Sequence, residues 1–193
     1  MRTVQVDAGD QQNHVLYWRD AAPMAAGDLI GAARGFFTPH VVRQIARHRR
    51  LDLAGADRAI HAALPLLIAA LSHVASEAQG ARKLSRAVAR QYPATLQTIR
   101  NGIGTESQDV AAAYGSGYMA HLAGGDVFAG ITAQVACRSG VEASEARLLA
   151  GLVGWILMSH VRAEQRQTAM SASGLAALLD RNCRVLRDAP PAR

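Results

Sequence analysis

Aromatic side chains are scarce in this chain: Phe, Tyr and Trp make up 5% of 193 residues, although half of all residues are hydrophobic. Aromatic-rich β-sandwiches and barrels are therefore disfavoured, and a core of Ala, Leu, Val and Ile points to helices packed on helices. Cysteine is nearly absent. Cys137 and Cys183 lie far apart and match no paired metal-ligand spacing, which favours free thiols in a reducing, cytoplasmic compartment over a disulfide framework. Long uncharged runs are also missing. Even the apolar stretch 148–158 is shorter than the ~20 residues of a membrane span, and residues 1–10 lack a secretory pattern, so no span is expected. Paired carboxylates, a glycine-rich phosphate loop and a dinucleotide fingerprint are absent as well, so neither an enzyme nor a cofactor is expected.

What the chain does have is a stretch without formal charge, residues 148–161, apolar on every side of a helical wheel and hence expected to be the buried central helix. Around it the periodicity predicts an all-α, multihelical single domain. Residues 1–24 read as an irregular lead-in with a possible extended piece at 3–6, residues 25–187 as the helical domain, and 188–193 as a tail. Thr38 followed by Pro39 opens a helix to about Arg49. A tight connection leads into a long helix over about 54–77, where Pro65 removes a backbone donor and should produce a kink. Further helices are predicted at 80–91, 94–101, 105–123, 126–138 and 143–167. A last one runs from Ser171 or Ser173 to about 187, with Leu175, Leu178, Leu179 and Val185 inward.

Shifting the sequence by 90 residues lays Gln44-Ile45-Ala46 on Gln134-Val135-Ala136, Ala56 on Ala146 and Leu67 on Leu157. Both segments, about 38–77 and 126–167, read as short helix, tight turn, long apolar helix, which suggests a diverged internal duplication whose long helices pack on each other. Where the first segment carries Arg43, Arg47 and Arg50, the second has Ala133, Cys137 and Gly140, so the second exterior is expected to be covered.

The Leu-Pro-Leu-Leu core of 62–71, the Leu122-Ala-Gly-Gly125 break, the stretch 134–141 with Ser139-Gly140, and Gly174-Leu-Ala-Ala-Leu-Leu179 resemble the bacterial YidB-like family, domain of unknown function 937, over about residues 25–182. The resemblance implies a multihelical fold and supplies no catalytic residue; Trp155 departs from the proline-like punctuation expected at that point. A fainter likeness of 41–71 to the first helix pair of histone-like HU proteins implies helix pairing or dimerisation.

Net charge is +6, and residues 43–100 carry ten basic residues against three acidic ones. Arg82, Arg86 and Arg90 recur every fourth residue with Lys83 beside them, and Arg43, Arg47 and Arg50 form a second stripe. Clustered guanidinium groups attract phosphates, so these seven residues are the candidates for nucleic-acid or other polyanion binding. The plainer reading is the wet side of amphipathic helices. His73 and His160 occupy matching places on the two long helices but show no metal-ligand spacing. Ser116 stands between Gly115 and Gly117 without the strand-to-helix elbow of a nucleophile, and close helix packing accounts for those glycines more simply. The leading expectation is a non-enzymatic interaction or assembly module for an unknown protein partner or a second copy of itself, with Leu175, Leu178 and Leu179 as apolar surface.

Overall fold

The computed structural model describes residues 27–91 and 96–188. They form nine α-helices and no strand: α1 Leu29–Phe36, α2 Pro39–Arg49, α3 Leu53–Ala75, α4 Ala78–Arg90, α5 Leu96–Gly102, α6 Glu106–Ala123, α7 Gly125–Ser139, α8 Ala143–Thr168 and α9 Ala172–Asp188. The all-α reading holds, and the boundaries fall within a few residues of those the sequence predicts. The lead-in, its extended piece and the tail beyond Asp188 lie outside the described residues.

Local chemistry sets the boundaries. Asp28, Thr38 and Asp52 cap α1, α2 and α3 by accepting from Gly31, Val41 and Gly55 N–H groups. Ser171 accepts from Gly174 N at 3.1 Å and opens α9. Two long helices are entered through turns of the same kind. Arg50 ends α2 and Gly140 ends α7 in the left-handed region, at φ 55° and 76°, and two residues later Asp52 and Glu142 begin the long helices. The 90-residue register thus matches like turns.

The central helix is α8. Every residue from Leu149 to Ser159 is buried, as a helix apolar on all sides requires. Packed around it are α3, α6 and α7, with α1, α4 and α5 touching it at the margins. Helix α3 meets α8 and also α7 and α9. By length and composition alone it could also cross a membrane; here its apolar side, including Leu64, Leu67, Ile68 and Leu71, lies in the core. It runs unbroken through Pro65.

The closest approach of α8 is to α6, whereas the sequence paired it with α3. A Cβ on Gly115 would overlap the Gly151 carbonyl group, with the carbonyl carbon at 2.8 Å; one on Gly151 would overlap the Ala112 carbonyl and Ser116. Backbone therefore crosses backbone. Ser116, buried at the crossing, donates to the carbonyls of Ala112 at 2.8 Å and Arg147 at 3.0 Å, which makes it a bridge between helices. Gly154 faces Met119 of α6 and Leu67 of α3. Gly117 points to open space, so close packing does not explain it.

Two expectations of the exterior fail. Ala133, Cys137 and Gly140 are exposed, because α7 turns only Phe128, Ile131, Thr132, Val135 and Ser139 inward. On α9, Val185 is 56% exposed, while Leu175, Leu178 and Leu179 are buried against the core and offer no free surface to a second subunit.

The two central glycines predict opposite substitution effects. Gly115→Ala should lower unfolding free energy by roughly 2 kcal/mol, as overpacking forces the helices apart. Gly117→Ala should raise it by about 0.5–1 kcal/mol through helix propensity. Urea denaturation of both variants measures this; equal effects would contradict the crossing.

Candidate functional site

Helices α5, α6 and α8 enclose an open cleft of about 420 Å³. Its floor is Leu152 and Trp155 of α8; Ile99 and Ile103 form one side; Val110, Ala111 and Tyr114 of α6 form the other. Val110 is 70% exposed and Tyr114 50%, so the α6 wall presents apolar surface to solvent. Tyr114 stands edge-on to Trp155, with ring centroids 4.7 Å apart, and Tyr118 does so one turn further at 6.0 Å. Three of the chain's few aromatic side chains thus meet at one place.

An ion-pair network holds the α6 wall. Arg49 on α2 reaches Glu145 of α8 through Nε at 2.9 Å and Asp109 of α6 through Nη1 at 2.9 Å, while His48 Nε2 lies 3.0 Å from the other Asp109 oxygen. Burial alone would raise the Asp109 carboxyl, but hydrogen bonds from His48 and Arg49, with their charge, hold it below the usual carboxylate range. Gln108 accepts from Gly104 N at 3.0 Å and fixes the α5–α6 connection. Both elements border the cleft.

Beyond the floor, α8 becomes polar. Ser159 accepts from Gln91 Nε2 at 3.3 Å, and Arg162 Nη1 donates to the Gln91 carbonyl. Gln91 Oε1, Tyr118 Oη and His160 Nε2 are buried with no hydrogen-bond partner among the described residues. Burial pushes the His160 imidazole down to about 4, with the Arg100 charge acting in the same direction, so the ring is neutral at ordinary pH. Tyr118 is pushed up to about 12 by burial and by Tyr114, against the pull of Arg162, and remains a hydroxyl donor.

The seven basic candidates lie on two helices. Arg43, Arg47 and Arg50 are exposed on α2, which joins α3 at its N-terminal end; Arg82, Lys83, Arg86 and Arg90 are exposed on α4, which joins at its C-terminal end. Those ends are about 34 Å apart along the 23-residue helix. Lys83 also donates to the His121 carbonyl at 2.8 Å. His73 is exposed on α3, whereas His160 is largely buried beside Arg100. Among the described residues no three His, Cys, Asp or Glu side chains come together as a metal would need.

Sequence reasoning missed the network and the cleft. One signal was available: Arg49 follows Val42, Ile45 and Ala46 on the inward face of α2, where a charge requires a partner. Arg162 follows Trp155 and Ser159 on α8 in the same way. Neither position names its partner, which lies 60 to 96 residues away.

His160 sets an acid limit on stability. Its folded pKa lies below the unfolded value near 6.5, so the unfolded chain binds the extra proton between about pH 6.5 and 4 and stability falls as pH drops through that window. The loss should reach at most about 3 kcal/mol. Thermal melts across this range should show the decline, and His160→Gln should flatten it; an unchanged slope would place the acid sensitivity elsewhere.

The family model for bacterial proteins of unknown function, DUF937, matches residues 33–163, from within α1 to near the end of α8. No curated protein and no solved structure matches the chain. The matched segment contains both walls and the floor of the cleft, and the motifs quoted from the sequence up to Val141 fall inside it, leaving the Gly174–Leu179 motif and α9 beyond it. The chain belongs to this bacterial family of unknown function, DUF937, with which the YidB-like resemblance agrees.

Proposed function

We propose that the protein is a non-enzymatic, cytoplasmic interaction module that docks an apolar segment of a partner protein in the cleft between α5, α6 and α8. The observation that carries this reading is the concave apolar surface over Trp155 with exposed Val110 and Tyr114 on its edge. Apolar anchors entering such a groove gain burial, while a framework already held by the Arg49 network loses little conformational freedom on binding. The surface named from sequence, Leu175, Leu178 and Leu179, is replaced in this role because those residues are buried.

A leucine-rich probe peptide with blocked ends should shift the Trp155 emission of a Trp18→Phe protein as it binds. Val110→Asp should weaken binding by about tenfold or more, since a carboxylate would be desolvated at the mouth of the cleft. No binding, or equal affinity in the variant, would reject the reading.

A second reading rests on α4, where Arg82, Lys83, Arg86 and Arg90 are exposed and none has a carboxylate partner within ion-pair distance among the described residues. Such a stripe suits a polyanion, with affinity that falls steeply with salt. Generic duplex DNA titrated at low and moderate salt distinguishes the readings: binding should disappear when Arg82, Arg86 and Arg90 become Glu, and retention in that variant would remove the α4 stripe from consideration.

A further inference from the structure

Helix α6 has a side that no described residue covers. Glu106, Val110, Ala113, Tyr114, Gly117 and His121 are all exposed, and on a helical wheel they fall within an arc of about 100°, opposite the side that meets α8. Val110, Ala113, Tyr114 and Gly117 recur at i, i+3, i+4 and i+7, the spacing of a helix-packing seam rather than of a solvated face. Gly117 has no use within the single chain: a Cβ there would meet nothing within 4 Å, yet glycine inside a helix costs about 0.5–1 kcal/mol relative to alanine. An exposed apolar seam with an empty notch calls for a partner helix.

The seam is complementary to itself. Two copies of α6 laid antiparallel, with the dyad between Ala113 and Tyr114, set Val110 of each opposite Gly117 of the other, while the two small Ala113 side chains meet at the dyad. The same register sets Glu106 at one end of the helix opposite His121 at the other, about 22 Å away along the axis. Lys83 lies at the His121 end as well, with its ammonium on the His121 carbonyl at 2.8 Å. Among the described residues Glu106 has no basic partner within ion-pair distance and Lys83 no carboxylate. Helix α6 itself carries no Arg or Lys, so two copies meet there away from their basic stripes. A parallel pairing would instead oppose Glu106 to Glu106 and leave the notch facing another notch.

We propose that this face of α6 pairs antiparallel with the same face of a second copy of the chain, with Val110 seated in the Gly117 notch and Glu106 accepting from His121 and Lys83 at both ends. At about 22 Å by 10 Å the face falls well short of the ~800 Å² per partner of a standard interface, so the dimer forms and dissociates readily. The cleft opens on an adjacent flank of α6, and of the six residues of the seam Val110 and Tyr114 alone also line it. The pairing therefore stands apart from the docking reading.

Sedimentation equilibrium of the full chain between about 10 µM and 1 mM should pass from monomer toward dimer. Gly117→Arg fills the notch from open solvent without touching the cleft lining and should weaken association by about tenfold or more. Glu106→Lys puts like charges together at both ends and should weaken it severalfold. Register is read by cross-linking: at an interaxial distance of about 8 Å the two Ala113 Cα atoms come within about 5–6 Å, inside disulfide range. In a Cys137→Ser background, Ala113→Cys should therefore form a linked dimer on mild oxidation, whereas Ala177→Cys, exposed on α9, should not. A chain monomeric up to 1 mM, a dimer that Gly117→Arg leaves intact, or Ala113→Cys cross-linking no faster than Ala177→Cys would each overturn the inference. Failure to dimerise with the leucine-rich probe still bound overturns the pairing alone, and dimerisation without probe binding rejects only the docking reading.

Discussion

The fold depends on one close contact, the crossing of α6 over α8 at Gly115 and Gly151. With no side chain between them, the two backbones approach until Ser116 can bridge both, and this places Trp155 directly beneath Tyr114 and Tyr118. Larger residues at the crossing would lift α6 off the central helix and separate the aromatic rings. The cleft is a by-product of the same contact. Since α5 is short and buries little besides Ile99, it cannot fill the angle between α6 and α8.

Polar contacts then fix the position that apolar packing leaves loose. Arg49 links α2 to both α6 and α8, and its bidentate geometry toward Glu145 specifies register as well as proximity. Arg58 on α3 donates through Nη2 to the Ser139 carbonyl at the end of α7, at 2.9 Å, satisfying a group that the helix leaves unbonded. Arg147 and Arg100 lie over the rings of Phe128 and Phe36. Arginine thus has several structural roles here, and its abundance is a weaker sign of a nucleic-acid partner than net charge alone suggests.

Much of the fold was legible because its determinants are local. Thr38-Pro39 and Ser171 mark helix starts, Gly124 and Gly140 mark stops, and the uncharged run 148–161 announces a helix buried on all sides. Which helix lies closest to it was not legible: Gly115 and Gly117 look alike in sequence, yet one meets a backbone and the other faces open space. The same limit hid the cleft, whose lining joins residues about 50 positions apart, and misplaced the surface on α9, where an amphipathic pattern gives the apolar face without saying whether it is covered. Basic stripes at helical spacing were read correctly as exposed, but spacing within one helix says nothing of the distance between two.

Asn182 is buried on α9, where its amide oxygen accepts from Leu29 N at 3.1 Å and its amide nitrogen donates to the Gly27 carbonyl at 2.9 Å. The first helix is thereby tied to the ninth, and the path of the described chain is close to a ring. Asp188 is only six residues, about 9 Å of helix, beyond that tie. Gly27 and Asp188 therefore lie in one neighbourhood, and a linker of modest length between these two positions would close the helical core into a ring that can be opened at another loop.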